Sequence, residues 1–118
     1  DFRYMIKQRG GMLAKGWLLG IQFETLFTDG LFYEMAGHAS RLSDRLRAGL
    51  EARGFSFYSR SVSNQLFPIF SDELIEKLSA DFSFNIQARI DDSHQAIRLV
   101  TSWATREEAV DALLKALD

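Results

Sequence analysis

The sequence predicts an α+β fold, a small antiparallel sheet of about four strands covered by helices and preceded by a long apolar helix. Three observations carry the prediction. Apolar residues recur at three- and four-residue spacing from Leu31 to Arg53 and again after Thr105. They alternate at every second position from Phe82 to Ile90. Turn residues part these stretches, at Thr28-Asp29-Gly30 and at Asp91-Asp92-Ser93. At 118 residues, 47% hydrophobic and 25% charged, the chain is long enough for one domain with a real core, and ten phenylalanines supply bulk for it.

The segment Met12 to Thr28 has helical character but no polar face, because Leu13, Trp17, Leu18, Leu19, Ile21, Phe23, Leu26 and Phe27 go nearly all the way round. Such a helix expects cover on several sides, and a partner surface is implied. A second helix is expected from about Leu31 to Arg53, with Met35, Ala39, Leu42, Leu46, Gly49 and Leu50 inward and Gly54 as its left-handed cap. Arg41, Asp44, Arg45 and Arg47 form its solvated face. Phe55 and Phe57 alternate with Ser56 and Tyr58 as a half-buried strand, and Gln65 to Phe70 reads as another. Pro68 cannot donate to a ladder, so that strand is expected at an edge or with a bulge. Ser71 is placed to N-cap a short helix that buries Leu74, Ile75 and Leu78. Phe82 to Ile90 is the clearest strand, and His94 to Trp103 returns from it as a hairpin. Thr105 and Glu108 form a capping box before a last helix with Val110, Leu113, Leu114 and Leu117 on its apolar stripe.

A net charge of −2 offers no broad attraction to nucleic acid or to an anionic membrane. No apolar run approaches the ~20 residues of a membrane span. Without cysteine there is neither a disulfide framework nor thiolate chemistry, and a cytoplasmic origin fits best. The chain opens at Asp1 with Phe2, Tyr4, Met5 and Ile6 and no preceding turn, as though cut from something longer.

Most catalytic signatures are missing. Arg9-Gly10-Gly11 to Lys15-Gly16 lacks the spacing of a phosphate loop, and no Ser or Thr follows the lysine. His38 and His94 have no metal-ligand spacing. Arg98 stands out, in the middle of an apolar strand where a guanidinium is costly unless it meets an anion or reaches water. One reading is a bidentate fork for a substrate carboxylate. The other is a strand residue facing solvent or paired with a neighbouring acid, and from the strand alone the frequency of surface arginines favours it.

Four stretches, in order, resemble one family. Ile6-Lys7-Gln8-Arg9-Gly10-Gly11-Met12-Leu13-Ala14-Lys15-Gly16 resembles the segment after the Schiff-base lysine of threonine aldolases. Ala36-Gly37-His38-Ala39-Ser40-Arg41-Leu42 is similar to the family's His-Ala-Asn-Ala helix start, with Ser40 for asparagine. Asn64-Gln65-Leu66-Phe67 is similar to its Thr-Asn-hydrophobic strand, and Ile97-Arg98-Leu99-Val100-Thr101-Ser102-Trp103 to its carboxylate-arginine strand. The resemblance implies the C-terminal part of a fold-type I pyridoxal-phosphate enzyme of the threonine aldolase, or β-eliminating lyase, family. Residues 1–30 would be the tail of the large cofactor domain with a connecting apolar helix, and residues 31–118 the small α/β domain.

The resemblance further implies retro-aldol cleavage of a β-hydroxy-α-amino acid, such as threonine to glycine and acetaldehyde, at an active site on a dimer interface. The parent would be a homodimer or higher oligomer with an amino-acid substrate. It implies that Arg98 holds the substrate carboxylate. Lys7, Arg9 and Lys15 would bring charge to the cofactor phosphate or the neighbouring subunit, or else form only a solvated basic cluster before the helix. The Schiff-base lysine, the aspartate for the pyridine nitrogen and the ring-stacking histidine would lie upstream of Asp1. No catalytic residue is therefore expected within the chain, which is expected to be inactive alone and to bind no cofactor. A second class of function stays open, a non-catalytic α/β interaction module that docks through its apolar first helix.

Overall fold

The computed structural model describes all 118 residues, in five α-helices, one 3-10 turn and four short strands. It divides into two compact units, Asp1–Glu34 and Met35–Asp118.

In the first unit, α1 (Phe2–Gln8) forms where no helix was expected. The Asp1 carboxylate accepts the Arg3 N–H at 3.0 Å and caps it, a local signal easily passed over in seven residues that bury no side chain. Gly10, at φ 72°, ends it in the left-handed region. The expected apolar helix is α2 (Trp17–Phe27), which starts five residues later than Met12, after a turn at residues 14–16 that ends in Gly16. None of its residues is buried. At the Thr28–Gly30 turn, Asp29 (φ 52°) and Gly30 (φ 76°) both adopt left-handed backbone. The Phe27 and Phe32 rings close over it at 5.3 Å.

The second unit holds the core. Helix α3 (Leu31–Ala52) buries Ala39, Leu42, Leu46 and Leu50 of the expected stripe together with Ser43, while Met35 and Gly49 are half-buried, and Gly54 at φ 80° caps it. Strands β1 (Gln65–Leu66), β2 (Ile69–Ser71) and β3 (Asn85–Arg89) all pair antiparallel with β4 (His94–Val100). β4 is therefore the central strand, with β1 and β2 along one edge and β3 along the other. Its inward residues Ile97 and Leu99 pack with Leu66, Phe70 and Leu50. Burying each such side chain stabilises the unit by about 1.5–3 kcal/mol. Helix α4 (Asp72–Leu78) is capped as expected, the Ser71 hydroxyl accepting the Leu74 N–H at 3.2 Å. Helix α5 (Glu107–Ala116) adds Val110 and Leu113 to the core.

Four local expectations need correction. Phe55–Tyr58 is no strand but a single bridge, Phe57 opposite Pro68, because proline has no N–H to extend the ladder. Pro68 also divides Gln65–Phe70 into β1 and β2, which form an outer strand of the sheet as expected, although Pro68 itself is fully buried and its carbonyl accepts the Ile97 N–H at 3.0 Å. The strand expected from Phe82 to Ile90 shrinks to β3, and a bulge between Ile86 and Ala88 breaks the alternation and leaves Ile86 and Ile90 exposed. Thr105 does not cap α5. Its hydroxyl accepts the Ser102 N–H at 2.8 Å instead, and Arg106 occupies the cap position without a side-chain bond.

Candidate functional site

Arg98 lies on β4 opposite Asn85 of β3, and its neighbours Ile97 and Leu99 turn into the core. The pleat sends Arg98 to the other face, where it is half-buried. Its Nε is sealed from solvent and meets no acceptor. The guanidinium joins none of the ion pairs, which all belong to other arginines and to His94. A buried donor left unpaired costs about 1–3 kcal/mol, more when charged, so the site favours an acceptor brought from outside the chain. Arg47 shares the condition at Nη2, but its Nη1 reaches Asp44 at 3.4 Å. Arg98 also lines a cavity of about 400 Å³ with Asn85, Phe84, Leu99, Thr101 and Thr105, apolar in its walls and polar beside the arginine.

The alternative of an acid on the neighbouring strand is answered directly. The residue opposite Arg98 is an asparagine, and two acids that border this sheet, Asp72 and Asp91, are engaged elsewhere. Asp72 receives the Gln95 amide and Arg89, which hold its carboxyl below the ordinary value. Asp91 is lowered to about 2, first by the Ser93 N–H and then by His94.

The other expected site residues sit in the first unit. Lys7 lies in the last turn of α1, and Arg9 and Lys15 flank the glycine turn before α2. All three are exposed, and no side-chain hydrogen bond or ion pair holds any of them. All four lysines of the chain are exposed. His38 donates through Nε2 to the Thr105 carbonyl at 2.8 Å, and His94 caps the hairpin turn with Asp91 and Ser93.

Sequence reasoning missed how three of the quoted stretches meet. The Asn64 amide donates to the Thr101 carbonyl at 2.6 Å, while the Thr101 N–H returns to the Asn64 carbonyl at 3.0 Å. The buried Thr101 hydroxyl donates to the Ala39 carbonyl of α3 at 2.8 Å. Ser43, one turn on, donates to the Ser63 carbonyl at 3.0 Å. Backbone carbonyls accept all four of these bonds, and a carbonyl leaves no mark in a sequence.

These features define an α+β domain that offers a half-buried, unpaired arginine from its central strand, a frame suited to recognising a small anion. Comparison with known proteins makes the identity more specific. No family model matches the chain, and no curated protein does. Among solved structures, a threonine aldolase from Leishmania major is similar to it with a TM-score of 0.88 and 45% sequence identity over 98% of the chain. The chain is thus a domain of the threonine aldolase type. It spans 34% of the length of that Leishmania chain.

Proposed function

We propose that this chain is the small C-terminal domain of a pyridoxal-phosphate-dependent aldolase that cleaves β-hydroxy-α-amino acids, and that Arg98 holds the α-carboxylate of the substrate. The observation that carries the reading is the half-buried guanidinium without a partner on the central strand of a domain of threonine aldolase type. On this reading residues 31–118 form the small domain, and residues 1–30 end the cofactor domain and lead into it. The parent acts in the cytoplasm as a homodimer or higher oligomer, and the apolar surface of α2 supports a need for cover.

The residues present fit the cofactor in part. Lys7, Arg9 and Lys15 are exposed cations free to meet a phosphate, but no enclosed lysine is available to bond it. That bond falls to the remaining length of a threonine aldolase, so the chain by itself cleaves nothing. Pyridoxal phosphate supplies an electron sink for charge developing at the substrate Cα. The contribution of this chain is orientation. Two parallel N–H donors from Arg98 fix the plane of the carboxylate and so hold the Cα–Cβ bond in the one direction from which it breaks. Losing both costs about 2–5 kcal/mol, as for other buried charge pairs.

The test is glycine release from threonine by the complete polypeptide, with and without Arg98→Ala, after the visible absorbance of the cofactor is confirmed in both. A fall in kcat/KM of about a hundredfold or more with the cofactor retained supports the reading. Unchanged activity returns Arg98 to the status of a strand residue with no role in the reaction.

A further inference from the structure

We propose that Asn64 and Thr101 are positioning residues, which hold the end of β4 so that Arg98 meets the carboxylate in one fixed orientation. This inference rests on the role of Arg98 just given. On its β3 edge, β4 loses its neighbour at Arg98 itself, because the register of β3 with β4 ends at the Asn85–Arg98 pair. On the other edge β1 pairs only Leu99 and Val100. The arginine therefore sits where the sheet is running out of partners, and an unsupported strand end frays.

Asn64 supplies the rung that is missing. The pair after Gln65–Val100 in an antiparallel ladder is Asn64 with Thr101, and half of it is made by the backbone, the Thr101 N–H donating to the Asn64 carbonyl at 3.0 Å. The return bond comes from the Asn64 side chain, whose Nδ2 donates to the Thr101 carbonyl at 2.6 Å. Thr101 then ties this point to the side of α3, its hydroxyl donating to the Ala39 carbonyl at 2.8 Å. That carbonyl already serves the helix, so the hydroxyl is a second donor on one acceptor. Thr101 is 3% exposed, which keeps water from competing for either bond. His38 and Ser43 of α3 fasten the flanking loops at Thr105 and Ser63, so the strand end is held from the helix on both sides.

A clamp three residues from Arg98 acts on orientation, and its loss reads out as weaker carboxylate binding rather than as a lost cofactor. The experiment uses the complete polypeptide in Thr101→Val, Thr101→Ser, Asn64→Ala and Arg98→Ala forms. Three quantities are measured: the affinity for glycine by equilibrium titration, the KM and kcat for threonine, and the melting temperature. Thr101→Val keeps the shape of the side chain and removes the donor, whereas Thr101→Ser keeps the donor. The expected result is a glycine affinity about tenfold weaker, with KM raised by the same factor, in Thr101→Val and Asn64→Ala, and near-parental values in Thr101→Ser. Should Thr101→Val fail to fold, Asn64→Ala decides, since its side chain is half-buried at the rim. Parental affinity in Asn64→Ala or in folded Thr101→Val, while Arg98→Ala loses it, overturns the positioning role alone. Parental affinity in Arg98→Ala overturns both this inference and the carboxylate reading beneath it.

Discussion

Gly49 lies where α3 meets Leu114 of α5, and its replacement by alanine sets two effects of known size against each other. A methyl group built on Gly49 meets the two terminal carbons of Leu114 at 2.5 and 2.6 Å and its branch carbon at 3.1 Å. Alanine in a helix interior gains about 1 kcal/mol over glycine. Forcing a methyl into a filled contact costs about 1–3 kcal/mol. The tips of Leu114 can swing away, because that residue is only partly buried, but the branch carbon moves only if the side chain changes rotamer or the helices part. The clash therefore wins, with a net loss of about 1 kcal/mol, or a fall of roughly 4–8 °C in melting temperature for a unit of this size. Urea denaturation of the parent, Gly49→Ala, Leu114→Ala and the double variant measures it. In the Leu114→Ala background, Gly49→Ala is expected to stabilise, and the difference between its effects in the two backgrounds is the coupling energy. A stabilising effect of equal size in both backgrounds refutes the close approach of the two helices.

Two further outcomes follow from particular groups. The Asp91 carboxyl is lowered to about 2 from 3.8, so the stability it contributes is present above pH ~4 and is lost as the pH falls toward 2; an NMR titration of its carboxyl carbon in the folded chain checks the value, and an ordinary midpoint contradicts the turn geometry. The exposed apolar side chains of α2 are expected to drive self-association of the isolated chain, and Leu19→Glu with Phe23→Glu to return it to a monomer in light scattering. A clean monomer of the parent sequence at high concentration contradicts that expectation.

Much of the fold was legible because its signals are local. The stripe of α3, its Gly54 cap and the Ser71 cap of α4 each depend on residues within a few positions of one another, and each forms as read. What was misread depends on competition between distant groups. Alternation from Phe82 to Ile90 says nothing of the bulge that turns Ile86 outward. The Thr105 hydroxyl matched a capping pattern, but the Ser102 N–H reached it first. The same holds at the site. That an arginine stands in an apolar strand is visible in the sequence, whereas its want of a partner is a property of the whole sheet. The clamp of Asn64 and Thr101 was present only as two resemblances far apart in the chain, and the bond between them belongs to the fold.

The central claim is that Arg98 recognises a carboxylate, and the most direct measurement varies the ligand together with the protein. Glycine and glycinamide differ in the carboxylate alone, and the affinity of the complete polypeptide for each is measured with and without Arg98→Ala. The parent is expected to favour glycine by about a hundredfold, and Arg98→Ala to bind the two alike. An equal preference for glycine in both proteins would contradict the account, because some group other than Arg98 would then be reading the carboxylate.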